Sequence, residues 1–276
     1  MKNILVYITI FILVILGIAL GLIKTSSTTK SNKKINILNN IDKDIDYYHK
    51  DYEKRYIKYK NKNKFLNVED VITRVNIGLD NKFYTHTKKA KLLNNKYLLV
   101  NKYNYLERMY IPNNLVSVDN NFARSGMMLV DEANIAFLEM AKNAKTANMN
   151  IRVISSYRPY SYQEQLYNKY KENDGIDKAD TYSARPGYSE HQTGLSVDID
   201  NTIDDYNNFE QTKEFKWMKK NAYKYGFILR FLKGKEAITG YQYEAWHYRY
   251  VGKEASINIH NDNLCYEEYY VRNIEK

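Results

Sequence analysis

Residues 4–23 read ILVYITIFILVILGIALGLI, 20 positions without a charge. A run of that length crosses the ~30 Å hydrocarbon core of a bilayer as a helix, and being apolar on every side it has no polar face to turn to water. It predicts a transmembrane helix within residues 1–23, which leaves soluble chemistry to the chain that follows. The run is longer than the ~7–15 residues of a signal-peptide core, and Ala19-Leu20-Gly21 only roughly matches a small-residue cleavage site, so an uncleaved anchor is expected, with a secreted form if the segment is cut. Lys24, Lys30, Lys33 and Lys34 follow the run, whereas Lys2 and the amino group precede it. By the positive-inside rule alone the rest of the chain would face the cytoplasm.

Residues 24–34, KTSSTTKSNKK, form a polar tether with no apolar period. Within residues 35–64, Ile35, Leu38, Ile41, Ile45, Tyr48, Tyr52, Tyr56 and Tyr59 recur every three or four positions. That spacing predicts an amphipathic helix, packed on the main domain or standing as a stalk. A coiled-coil dimer is a weaker reading, since tyrosine makes a poor seam.

From Phe65 the pattern is mixed. Residues 97–106, YLLVNKYNYL, read as a strand entering a turn, and Pro112, Asn113 and Asn114 mark a loop. Residues 131–147 place Ala133, Phe137, Met140, Ala141 and Ala144 on one helical face, residues 151–155 read as a strand, and Ser161 is the expected N-cap of a helix through Tyr170. A further helix around residues 213–225 should stop at Gly226. Short strands interleaved with helices and no repeat predict an α+β domain over residues 65–276.

Composition then limits the chemistry. One cysteine, Cys265, excludes an internal disulfide and any CxxC motif, so a metal would need histidines and carboxylates. Forty-two Lys and Arg against 32 Asp and Glu give +10, which suits an anionic neighbour such as nucleic acid, membrane or an acidic cell wall. No nucleic-acid motif accompanies the charge.

Two stretches stand out among the 5 histidines: GYSEHQTGLSVDID at residues 187–200 and EAWHYRYVG at residues 244–252. A turn at Gly194 followed by a short strand can fold His191 and Asp198 into one cluster, which His247 would complete. Catalytic zinc takes three such ligands and leaves a position for water, whose pKa falls to about 7. Glu244, three residues before His247, would lie near that water as a general base. A histidine near an aspartate is equally an ordinary hydrogen-bonded or surface pair. His49, His86 and His260 lack such company and are expected to be structural or solvated.

Taken together, Ser156-Tyr157-Arg158 with Gln163, then Ser189-x-His191-x-x-Gly194-x-Ser196-x-Asp198, then Glu244-x-x-His247 resemble the VanY-like D-alanyl-D-alanine carboxypeptidases. These are zinc peptidases of the bacterial cell wall with the Hedgehog/DD-peptidase fold. The resemblance runs from about Val75 to the end and includes VNIGLD at residues 75–80 and LLVNKYN at residues 98–104. It implies a small, mostly antiparallel sheet flanked by helices, and one Zn2+ per chain held by His191, Asp198 and His247. It also implies that Glu244 is the catalytic base, that Arg158 stabilises the oxyanion, and that Ser189 and Gln163 contact the terminal D-Ala or its carboxylate. For these last two, a turn-forming serine and a helix-surface glutamine are the plain alternatives. Ser196 departs from the family's usual alanine, which touches packing rather than catalysis.

The implied activity is removal of the terminal D-Ala from peptidoglycan stem peptides. An L,D-carboxypeptidase or endopeptidase is the alternative within the fold, and a non-enzymatic wall-binding module is the alternative outside it. Such a substrate lies outside the cytoplasm. The expected placement is therefore a single-pass membrane protein with an extracytoplasmic catalytic domain, against the charge bias at the anchor.

Overall fold

The computed structural model describes residues 45–201 and 206–275. The apolar run, the tether and the first part of the helical stripe lie outside them. No helix among the described residues is long and apolar enough to cross a membrane.

Residues Tyr52–Lys276 form one compact unit. It opens with α1, Glu53–Lys62, and α2, Val68–Ile77. Tyr56, on the sequence stripe, is wholly buried and its hydroxyl donates to Asn76 Oδ1 at 2.7 Å. Arg55 forks onto Asp80 at 2.8 and 2.7 Å, so α1 lies packed on α2. The Asn67 side chain caps α2 by accepting from the Asp70 amide, and Gly78, at φ +108°, ends it.

β1, Lys88–Lys89, pairs in parallel with β2, Asn104–Tyr105. The longer strand expected over residues 97–106 therefore shrinks to its last part. Asn101 is the cause: its side-chain oxygen accepts from the amides of Tyr103 and Asn104, and its backbone bonds Asn104 in both directions, so the chain turns back on itself. Leu98, Leu99 and Val100 are still buried, without a ladder. A hairpin of β3, Leu115–Ser117, and β4, Met128–Val130, leads into α3, Asp131–Thr146.

Next come β5, Arg152–Ser155; α4, Tyr160–Asp174; α5, Ile176–Tyr182; and β6, Ser196–Asp200. Helix α4 starts before the expected Ser161 cap. Pro159 precedes it with φ −66°, already suited to helix entry, and no side-chain cap is used. α6, Lys213–Asn221, continues as a 3-10 turn to Gly226, where the helical segment was expected to stop. β7, Phe227–Leu229; α7, Glu236–Thr239; β8, His247–Tyr250; α8, Lys253–Asn261; and α9, Tyr266–Asn273, complete the unit.

The main sheet has the order β5-β6-β8-β7, antiparallel throughout. Strand alternation divides its residues between two faces. Val153, Val197, Ile199, Phe227, Tyr248 and Tyr250 join Phe137 and Met140 of α3 in one core. Asp198 and His247 belong to the other face. The architecture is thus α+β with small, mainly antiparallel sheets, and burial of one face leaves the opposite face to carry polar groups.

Candidate active site

β6 and β8 set the first relationship. Their register pairs Asp198 with His247, while Asp198 also pairs with Ser155 of β5. Asp198 Oδ1 lies 3.1 Å from His247 Nδ1, and Asp198 Oδ2 lies 3.3 Å from His191 Nε2. One carboxylate therefore reaches both imidazoles.

His191 comes from a 3-10 turn, Glu190–Thr193, that closes on Gly194 at φ +67°. A Cβ on Gly194 would sit 2.8 Å from Leu115 Cδ2 and 3.1 Å from Val130 Cγ2, so both the backbone and the space demand glycine. The Gly194 carbonyl also accepts from the Val130 amide, which ties the turn to the hairpin. Ser156, just past β5, fixes the ring: its carbonyl accepts from His191 Nδ1 at 2.7 Å, which leaves Nε2 with the free electron pair. That Nε2 is buried and has no hydrogen-bond partner. Donor atoms of His191, Asp198 and His247 all lie within 4.8 Å of one another. Two nitrogens and one carboxylate oxygen, with an orphaned nitrogen among them, fit a zinc-type ion.

Glu244 Oε2 is 3.7 Å from His247 Nδ1, on the same side of the ring as Asp198. Burial and the nearby Asp198 charge raise its carboxyl to about 7, although His247 and Arg158 pull the other way. Burial, with Arg158 adding to it, lowers His191 to about 4. For His247 burial opposes the charge, but the Asp198 and Glu190 carboxylates outweigh it and raise the ring to about 9. Asp198 is held well below the usual carboxylate range by both imidazoles, against the effect of burial.

Arg158 reaches the cluster from the loop before α4. Its Nη2 is 3.8 Å from Asp198 Oδ2, and its Nη1 donates to Gln163 Oε1 at 3.1 Å. Gln163 is buried, and its amide donates to Ala184 O at 2.7 Å. Both ends of this side chain are engaged within the protein, and one of them props Arg158. Ser189 is buried beside the turn and makes no side-chain cap to it. A cleft of about 620 Å³ runs past Arg158, Ser189, His191, Asp198, Glu244 and His247, with Tyr170 and Trp246 further along its wall. Ser196, the departure from alanine, is fully buried and its hydroxyl has no partner.

Sequence reasoning missed the charges behind the cluster. Glu190 accepts from Arg230 Nε at 2.9 Å and from Arg249 Nη1 at 3.0 Å, and Arg230 forks onto Glu267 of α9 at 2.9 and 2.6 Å. All four residues are buried. One signal was available: Arg249, two residues after His247 on a strand, must share its face. Of the remaining histidines, His86 is exposed beside Thr85 and His260 stacks on Tyr223.

Residues 126–253 match the VanY family, D-alanyl-D-alanine carboxypeptidase. The Bacillus subtilis (strain 168) protein YodJ is 37% identical over 206 residues, 70% of this chain and 76% of YodJ. The chain belongs to the VanY family. It is a carboxypeptidase-type hydrolase, and the matched span includes Arg158, Ser189, His191, Asp198, Glu244 and His247 around the cleft. Among solved structures, that of the LdcB LD-carboxypeptidase shares 38% identity over 67% of this chain and 93% of its own, with a TM-score of 0.62. A mutant of the vancomycin-resistance D,D-pentapeptidase VanY, solved in complex with Zn(II), shares 31% identity over 63% of this chain and 98% of its own, with a TM-score of 0.54.

Proposed function

We propose that this VanY-family chain is a zinc-dependent D-alanyl-D-alanine carboxypeptidase that removes the terminal D-Ala of peptidoglycan stem peptides. The observation that carries the reading is the convergence of His191, Asp198 and His247 with Glu244 and Arg158 in one cleft. An intact set of donors, base and cation argues against a wall-binding module without catalysis.

His191, Asp198 and His247 would hold the metal. When bound, zinc supplies Lewis acidity, which acidifies water and polarises a carbonyl oxygen. Glu244 acts on protons: its carboxylate, beside the donor cluster, accepts one from the attacking water and returns it to the departing D-Ala amine. Arg158, held by Gln163, presents a fixed cation to the oxygen that gains charge as the tetrahedral centre forms. Ser189 lines the same cleft, where its hydroxyl would meet the terminal residue.

An L,D-carboxypeptidase is the second reading, favoured by the likeness to LdcB. Stem peptides decide between them. Pentapeptide and tetrapeptide stems are incubated with the purified protein, with and without a chelator, and the products are weighed. Release of D-Ala from the pentapeptide, abolished by the chelator, is expected. Cleavage of the tetrapeptide alone would select the second reading, and no cleavage of either would remove both.

In this reading residues 4–23 anchor the protein in the cell membrane and the catalytic domain lies outside, where wall substrates are. The basic tether and net charge of +10 suit an envelope rich in anionic polymer. A reporter fused after Lys276 should be active only outside the cytoplasm. Activity confined to the cytoplasm would reverse the orientation.

A further inference from the structure

His191 and His247 each turn one ring nitrogen to the donor cluster and the other away from it. For His191 the outward nitrogen, Nδ1, is satisfied by the Ser156 carbonyl at 2.7 Å. For His247 the nitrogen facing Asp198 and Glu244 is Nδ1, so the outward one is Nε2. It has no hydrogen-bond partner in its buried position, and the carboxylate oxygen beside it, Glu190 Oε2 at 3.7 Å, has none either. Two buried, complementary polar atoms face each other across a gap just longer than a hydrogen bond.

We infer that Glu190 is a positioning residue that accepts the Nε2 proton of His247 and so presents Nδ1 to the metal. This rests on the reading that His191, Asp198 and His247 hold an ion. An imidazole that gives its Nδ1 electron pair to a metal carries its proton on Nε2, and closing the gap by about 0.7 Å brings the pair to ordinary hydrogen-bond length. Metal-bound histidines commonly donate this second N–H to a carboxylate, which fixes the tautomer and makes the ring a better donor.

The surroundings fix Glu190 in the orientation this needs. Its Oε1 takes both Arg230 and Arg249, which leaves Oε2 directed at His247. Arg230 is in turn gripped by Glu267, so two guanidinium groups meet two carboxylates. Phe231 packs on the His247 ring with centroids 5.0 Å apart and limits its tilt. Helix α9 thus reaches the donor cluster through Arg230 and Glu190. Glu190 is adjacent to His191 in sequence, yet it serves the other histidine.

The test measures zinc affinity of the full chain by competition with a chelator. Glu190→Gln should weaken zinc binding by ~10–100-fold, while Glu267→Gln, which removes the same charge from the same cluster but does not face His247, should stay within about threefold of the unaltered protein. Equal losses in the two variants would reduce Glu190 to a structural charge and overturn the inference. Unaltered protein labelled with 15N-histidine and loaded with zinc gives an answer that does not depend on either variant folding. The His247 proton should be on Nε2, and a proton on Nδ1 would overturn the inference. Failure of the unaltered protein to bind zinc would instead sink the metal reading on which it stands.

Discussion

Asp198 sits directly opposite His247 across β6 and β8, and its two carboxylate oxygens approach His247 Nδ1 at 3.1 Å and His191 Nε2 at 3.3 Å. Among the ion pairs of the described residues Asp198 is the carboxylate that meets both imidazoles, so its charge organises the donor cluster.

Replacing that charge should therefore cost more than losing an outer partner. Asp198→Asn keeps the shape but should weaken zinc by more than the ~10–100-fold typical of outer-partner loss, as read by metal content after dialysis and by chelator competition. Zinc retained at full stoichiometry and affinity would remove Asp198 from the ligand set.

Glu244 offers a separation of chemistry from binding. Glu244→Gln should keep zinc while peptide hydrolysis collapses, since a base has been removed and a ligand has not. The same variant has a pH signature in the metal-free protein. The carboxyl is raised from 4.5 to about 7 in the folded state, so the folded protein holds a proton that the unfolded chain has released. Stability then falls as pH rises between those two values, by up to ~3 kcal/mol. The glutamine variant should lose this fall and be the more stable protein at pH 8. Denaturant unfolding at pH 4 and pH 8 checks it, and parallel curves for the two proteins would contradict it.

Arg158 should act on the transition state. Arg158→Ala is expected to lower kcat by ~10²–10³-fold with KM changed far less and zinc retained, the loss typical of one oxyanion donor. Lysine should rescue poorly, because it replaces a planar fork with a flexible point charge. Since Gln163 props the guanidinium, Gln163→Leu should show a smaller loss of the same kind. A rise in KM at constant kcat would place Arg158 on the substrate carboxylate instead.

Gly194→Ala should destabilise the protein by at least ~1–2 kcal/mol from the left-handed backbone alone, before the contacts with Leu115 and Val130 are added. It should also weaken zinc, because the turn it closes carries His191. Thermal melts and metal content measure the two effects, and an alanine variant as stable as the original would show that the turn has another conformation open to it.

The sequence alone determined the chemistry available and much of the local structure. A single cysteine restricted any metal site to histidine and carboxylate. The period of Phe137, Met140, Ala141 and Ala144 marked α3, and Gly226 marked the end of the segment that begins as α6. Spacing put His191, Asp198, Glu244 and His247 forward as one candidate cluster while leaving an ordinary hydrogen-bonded pair open, and the resemblance to the VanY family supplied their expected roles.

Tertiary structure decided what depends on residues far apart in the chain. The register of β6 against β8 put Asp198 beside His247, and with helices and β7 lying between these two strands in the chain no hairpin turn fixes it. Asn101 turned an apolar, strand-like segment back on itself with two side-chain hydrogen bonds, where competition between side chain and ladder outweighs propensity. Gln163, readable as a helix-surface residue, is buried beneath Arg158. The Glu190, Arg230, Arg249 and Glu267 cluster was invisible for the same reason: buried charges are tolerated only when partners surround them, and those partners come from the 3-10 turn, the residue just after β7, β8 and α9, which only the folded chain brings together.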